Sequence, residues 1–421
     1  MSKLSFKLEV TNENLTSHAG LVLVGELMEK LSVTKMLDKN FPSPQSNNGY
    51  HASSYVIPLL LKMHGGGNHI EDVREIKNDK VITKLLCLDK IPTTAAIGVW
   101  LRRYGRDKGQ RIMHKINRKI LHKALRLEDR KEYTLDIDAT EIISNKRNAL
   151  YTYKKNKGYM PMVGHLAENG MIIGADFRSG NISPSTKNYE FIKSCISNMV
   201  KGKVITNIRA DSAAYQSKIF NYCNNQGIYF TIGGTLDSST LKSISRIKES
   251  EWEVFEDGEI AGTSHFTADA ESDFRLIVKR KIIVNDLLGK EYLYHVIVSN
   301  RPNESPIDTM TWYNQRGETS ENRIKELKSG FNLNTLPCGQ HNANALYFYI
   351  GCLAYNLSII LKNHILPSSY KKHKISTLRW KLYQVAGKLI KKGRRIYLKI
   401  REDHLSLFKD IRHRCRDICF T

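Results

Sequence analysis

Glu321, Lys325 and Lys328 recur at i, i+4 and i+7 in the stretch Tyr313-Asn-Gln-Arg316-Gly-Glu-Thr-Ser-Glu321-Asn-Arg-Ile-Lys325-Glu-Leu-Lys328. On a helix this spacing sets one carboxylate among cations along a single side. Alone, such a stripe is ordinary solvated surface. Two further carboxylate motifs change its meaning: Asp136-Ile-Asp138-Ala-Thr and Arg209-Ala-Asp211-Ser, each closing a short apolar run. Three carboxylates gathered at one place repel one another unless a hard divalent cation stands among them, which predicts Mg²⁺ or Mn²⁺.

The elements that must position these groups follow from periodicity. Residues 133–142 alternate Leu135 and Ile137 with Asp136 and Asp138, the pattern of a strand with one buried face, and both acids share the other face. Asp211 ends a second short strand starting at Asn207. Between them, residues 160–167 and 171–177 read as strands joined by a Glu168-Asn-Gly turn, and 188–200 as a helix. A helix over 216–225 and a strand over 228–232 follow. From 233 to 300 the period changes: 250–255, 275–284 and 292–298 read as strands punctuated by Asp-Gly and Leu-Gly turns. Residues 345–361 are apolar enough to suggest a membrane span, but Asn356 and Ser358 interrupt them. They read better as a buried helix packed on the acid-bearing sheet. Residues 15–130 are helical by pattern. Within them 79–88 and 93–104 suggest a helix-turn-helix, with Thr93 or Thr94 as N-cap and Arg102 and Arg103 near its end. The Gly65-Gly66-Gly67 run lacks a following Gly-Lys-Ser/Thr and predicts a helix break, not a phosphate loop.

At these acids the chain resembles the DDE transposases of bacterial insertion sequences, of the insertion-sequence four and thirteen-eighty type. Asp138 in Asp-Ala-Thr matches the first acid, Asp211 the second and Glu321 the third, while Tyr313, Arg316, Lys325 and Lys328 fill the remaining Tyr-Arg-Glu-Lys signature. The spacing departs once: four residues separate Arg316 from Glu321 where the family has three. Glu318 and Glu326 therefore stay open as third acids, as Asp136 does for the first. The resemblance spans about residues 60–365. It implies an α/β fold with an RNase H-like core, a mixed sheet flanked by helices, interrupted by a β-rich insertion. Its parts would be a helical DNA-binding region (1–130), the first part of the core (131–232), the insertion (233–300), the last part of the core (301–365) and a basic helical C-terminal region (366–421). It also implies two metal ions per active site, Asp138 bridging both, with Asp211 and Glu321 each holding one. Cut-and-paste cleavage and joining of the element's ends would follow, with Arg316, Lys325 and Lys328 clamping a phosphate. Trp252, inside the insertion, is the candidate to stack on a flipped base.

Charge supports a nucleic-acid partner independently. The chain carries 65 Lys and Arg against 42 Asp and Glu, a formal net charge of +23 and a pI near 9.6, a field that attracts phosphate backbones. Residues 371–401 hold twelve of the cations and no acid, Lys391, Lys392, Arg394 and Arg395 among them. Interleaved apolar residues predict helices there, contacting DNA and a second copy. Expected partners are double-stranded DNA, both the terminal inverted repeats and the target, and a homodimer partner, with no membrane. The seven cysteines form no Cys-x-x-Cys pair and fit a reducing cytoplasm. His413, Cys415 and Cys419 cluster in sequence but lack further zinc ligands. Residues 1–10 are polar and charged, which predicts no signal peptide; the resemblance implies a bacterial, cytoplasmic and nucleoid-associated location. Two rivals are a nuclease or junction resolvase with the same metal core and a non-catalytic DNA-binding descendant of a transposase.

Overall fold

The computed structural model describes residues 6–46, 49–285 and 289–420, with the side chains of Asp107, 284–285, 289–290 and Glu318 outside the described set. Its centre is one mixed sheet of nine strands: β1 (Glu132–Ala139), β2 (Met162–Leu166), β3 (Ile172–Asp176), β4 (Val204–Ala210), β5 (Tyr229–Gly233), β6 (Glu253–Phe255), β7 (Gly258–His265), β8 (Phe274–Asn285) and β9 (Gly289–Ser299). The spatial order is β6-β7-β8-β9-β5-β4-β1-β2-β3. Strands β1, β2 and β3 pair antiparallel, β4 and β5 join β1 in parallel, and the rest continue antiparallel.

Two expectations about strands need adjustment. Strand β1 is buried on both faces from Tyr133 to Ile137, because helices cover both sides of the sheet, so its alternation does not mark a solvent face. The strands from 253 to 299 extend the central sheet: β9 lies beside β5, Val298 opposite Ile232. Ile260, Ile277 and Ile297 of those strands form a small apolar cluster with Met310 and Tyr313 of the helix Pro306–Arg316. The β-rich stretch is thus the floor on which the Glu321-bearing segment rests.

The helix His341–Ile360, continued to Ile365, is long and apolar enough to cross a membrane, and it is buried inside the protein from Ala343 to Lys362. It packs against the helices Ala52–Gly65, Thr94–Tyr104 and Asp107–Leu125 and against β3. Of its two interruptions, Asn356 exchanges hydrogen bonds with the Ile172 N–H and carbonyl, both at 2.9 Å, while the Ser358 hydroxyl is buried with no partner among the described residues. The apolar residues bring the helix inside, and the amide of Asn356 satisfies an edge of β3.

Residues 80–85 and 94–104 are helices, with Asp79 and Thr93 as N-caps. Their connection, from Leu86 to Thr93, exceeds the roughly three- to four-residue turn of a helix-turn-helix. Ile97, Trp100 and Leu101 bury the second helix, leaving Arg102 and Arg103 exposed. Gly66, at φ 98°, ends the helix Ala52–Gly65 in the left-handed conformation that glycine tolerates, so the glycine run is a C-cap.

The expected helical C-terminal region is corrected. Residues 387–392 and 395–400 form a β-hairpin turning at Gly393, and only Glu402–Asp417 is a long helix. Here period 2 outweighs helix-compatible composition: Gly387 and Leu389 are buried while Lys388 and Ile390 are only half-buried on the first strand, and the positive φ at Gly393 makes the turn. The hairpin pairs with Leu15–Thr16, and Arg379 donates to the carbonyls of His64, Met63 and Gly330. The two ends of the chain therefore pack as one body. Cys415 is buried, which pushes its thiol up to about 11, while His413 is exposed and paired with Asp417 at 2.6 Å, so the two face different surroundings.

Candidate active site

Strands β1 and β4 run parallel, with Ile137 opposite Ala210, so Asp138 and Asp211 emerge side by side at the same end of the sheet. The competing acid, Asp136, is fully buried. Arg209 grips it with both arms of its guanidinium, at 2.7 and 2.9 Å, and the Thr319 hydroxyl donates to it at 3.3 Å. Arg209 also donates to the Trp312 carbonyl at 2.8 Å and lies over the Trp312 ring. Asp136 is thus a joint between two strands and a helix, with its oxygens already engaged. Asp138 is partly open, at 19% side-chain exposure, and its nearest cation is Arg316 at 3.5 Å. Burial raises its carboxyl to about 6, the charges of Asp211 and Glu321 push the same way, and Arg316 opposes them. Asp211 caps a short turn by accepting from the Ala213 N–H at 3.1 Å.

The third carboxylate arrives on a segment whose start is set by sequence. Ser305 caps the helix by accepting from the Asp308 N–H, and Pro306 fills the first helical position. Tyr313 and Arg316, both buried, pin the segment to the strand ends: the Tyr313 hydroxyl donates to the Ala210 carbonyl at 3.2 Å and Arg316 to the Ile137 carbonyl at 3.0 Å. Beyond Arg316 the α-helix opens into a π-turn over Gly317–Glu321, returns to α over Asn322–Lys325 and opens again over Glu326–Gly330. The regular stripe expected for Glu321, Lys325 and Lys328 is therefore interrupted.

The π-turn changes the phase of the residues that follow Arg316. In an α-helix, at ~100° per residue, a position five beyond Arg316 sits ~140° round the axis. A turn closed by i→i+5 bonds brings it back nearly into line. Glu321 accordingly bears on Asp138, while Ser320, which strict spacing would make the acid, is fully buried with its hydroxyl unpartnered among the described residues. Glu326 is engaged elsewhere, accepting from the Ile375 N–H at 2.7 Å and facing Lys362 at 3.7 Å. The side chain of Glu318 lies outside the described residues. Lys328 donates to the Glu141 carbonyl beside Asp138, and burial lowers its ammonium pKa, opposed by Glu141 and Asp138. Lys325 is exposed.

Hard carboxylate oxygens on three segments suit Mg²⁺ or Mn²⁺ by donor type. Among the described residues no three acidic, His or Cys side chains converge tightly enough to ring an ion, and Arg316 provides the counter-charge to Asp138.

Other expected contacts lie apart. The Trp252 ring is covered by the Arg280 guanidinium at 4.0 Å, itself held by Glu249 and Glu259. One face of the ring is thus occupied by a neighbour. Lys391, Lys392, Arg394 and Arg395 crowd the exposed tip of the C-terminal hairpin. Sequence reasoning missed Arg209, although its place two residues before Asp211 on the same strand face was a signal that a buried acid nearby needed a cation.

A family model described as the transposase DDE domain, group 1, matches residues 1–415. A cryo-EM structure of the piggyBac transposase synaptic complex with hairpin DNA is similar at a TM-score of 0.49, with 14% identity, over 86% of this chain and 79% of that one. A search of curated proteins found no match.

Proposed function

The chain belongs to the DDE-domain transposases of group 1, and from that premise we propose that it cuts and joins the ends of an insertion sequence of the four or thirteen-eighty type by cut-and-paste transfer, acting as a homodimer on DNA in a bacterial cytoplasm. What supports this is the placing of Asp138 and Asp211 on adjacent parallel strand ends, together with the π-turn over Gly317–Glu321 and the charge of Glu321 acting on Asp138. The order of β1 to β5, three antiparallel strands followed by two parallel ones, supports an RNase H-like core.

Asp138, Asp211 and Glu321 would hold two Mg²⁺ or Mn²⁺ ions, which when bound supply an activated water or DNA 3′-hydroxyl and charge stabilisation at the leaving oxygen. The chain's own residues set the stage for this. Tyr313 and Arg316 tie the helix that leads to Glu321 to the ends of the strands that carry Asp138 and Asp211. Arg316 balances part of the acid charge, and Lys328 and Lys325 present cations to a phosphate approaching that end of the sheet. Arg102, Arg103 and the cationic hairpin tip would contribute DNA contacts outside it.

The test is strand cleavage and joining in Mg²⁺ on a duplex carrying the element's own end. Asp138→Ala, Asp211→Ala and Glu321→Ala should each abolish joining and retain DNA binding. Cleavage without joining by the unaltered chain would favour a nuclease, and tight salt-sensitive binding without cleavage a non-catalytic DNA-binding protein.

A further inference from the structure

We propose that a cleft beside the acid end of the sheet is a second phosphate site, which holds the DNA backbone where the strand leaves the acids; this rests on the DNA-transfer reading above. The cleft, about 460 Å³, is lined by Arg102, Arg106 and Arg147 together with Asn148 and His341. These residues come from three separate parts of the chain: the corner between the helices Thr94–Tyr104 and Asp107–Leu125, the loop between the short strands Ile142–Ile143 and Leu150–Tyr151, and the start of the helix His341–Ile360.

Three guanidinium groups sharing one concavity repel one another, and among the described residues no carboxylate forms an ion pair with any of them. Elsewhere this protein matches arginines closely, as at Arg209 and Arg280. The unmatched trio gains its counter-charge from outside. The 20-residue helix begins here with no side chain capping it, so its positive end adds to the field. His341 also keeps a buried Nε2 with no hydrogen-bond partner among the described residues. Arginine forks and open amide groups suit a phosphodiester, which offers two unshared oxygens.

Position selects DNA as the source of that phosphate. The loop carrying Arg147 follows directly from the Asp138 strand. The Asn148 N–H donates to the Gly339 carbonyl at 3.0 Å, which fixes the loop against the start of the helix. At the loop's other end Lys328 holds the Glu141 carbonyl, and the charge of Lys154 bears on Lys328. Lys328 at Glu141 and Arg147 in the cleft therefore border the two ends of residues 141–147, between the acids and the cleft.

The experiment measures binding of the full chain to a duplex carrying the element's end, by fluorescence anisotropy across a salt series, with thermal melting to verify folding. Each of Arg102→Gln, Arg106→Gln and Arg147→Gln that removes a phosphate contact should lower the slope of log K against log salt by about 0.9, and the triple variant by roughly 2 to 3. A charge-matched control, Lys35→Gln with Lys39→Gln on the exposed side of the helix Val33–Asn40, should change the slope less per charge. An unchanged slope in the triple variant, or an equal fall per charge in the control, overturns the cleft assignment even if the unaltered chain cleaves DNA. If the unaltered chain neither binds nor cleaves the duplex, the assignment falls together with the transfer reading beneath it.

Discussion

Asp136 and Asp138 leave the same face of one strand two residues apart, and the protein treats them in opposite ways. The inner acid is fully buried and held by both arms of Arg209, with Thr319 as a further donor. The outer acid keeps partial exposure, has Arg316 at 3.5 Å, and shares its field with two other carboxylates. A matched buried charge builds the scaffold, and an under-matched one at its rim is available for chemistry. Neither residue type nor alternation separates the two; the partner across the strand does.

The largest expected effect tests the inner half of that contrast. Arg209→Ala leaves Asp136 buried without its partner and should cost about 3–5 kcal/mol in urea unfolding, whereas Arg209→Met combined with Asp136→Leu should recover most of the loss. A cost below about 1 kcal/mol for the single change would mean that Asp136 is not held as a buried charge.

The outer half has a pH signature of opposite kind. The Asp138 carboxyl sits near 6 in the folded protein against 3.8 for an ordinary aspartate, chiefly through burial. The folded state therefore holds that proton more tightly than the unfolded chain, and stability falls as pH rises from about 4 to about 6, then stays level. With a chelator present, Asp138→Asn should exceed the unaltered chain at pH 7 by on the order of 2–3 kcal/mol, the gap closing below about pH 4. Thermal or urea melts at several pH values read this directly. A variant less stable than the parent at pH 7 would show that the carboxylate is well matched after all.

The same contrast repeats on the helical segment. Glu326→Ala removes the acceptor for the Ile375 N–H and the partner of Lys362, and should cost about 1–3 kcal/mol with Mg²⁺-dependent cleavage retained. Glu321→Ala should leave stability within about 0.5 kcal/mol and abolish cleavage. Reversed outcomes would exchange the roles of the two glutamates.

Much of this was legible before any coordinates. The acid motifs are local, each a short run ending in Asp, and strand and helix periods carried the order of elements around them. What escaped was non-local or depended on a single residue of phase. The identity of the inner acid depended on Arg209 of a neighbouring strand. The C-terminal hairpin was hidden because its dense cations and aliphatic residues fit a helix as well as a strand until Gly393 sets the turn. The continuity of β9 with β5 joins residues that composition alone would divide. Between Arg316 and Glu321 a regular helix was expected, and the chain instead widens into a π-turn there.

That widened turn gives the smallest and sharpest test. Gly317 sits in right-handed helical backbone, φ −58°, and a Cβ built there would meet nothing within 4 Å. If the turn is held open by its neighbours, with Arg316 tied to Ile137 and Ser320 packed inside, then Gly317→Ala should leave cleavage unchanged. It should also raise stability by about 0.5–1 kcal/mol, the usual gain from replacing a helical glycine. If the glycine itself keeps the turn wide, alanine would let the segment close to a regular α-helix. Glu321 would then rotate by ~100° from Asp138, and cleavage would fall although the protein melts higher. Measuring both quantities on this one variant decides whether the position of Glu321 is set by the anchors on either side of the turn or by the backbone freedom inside it.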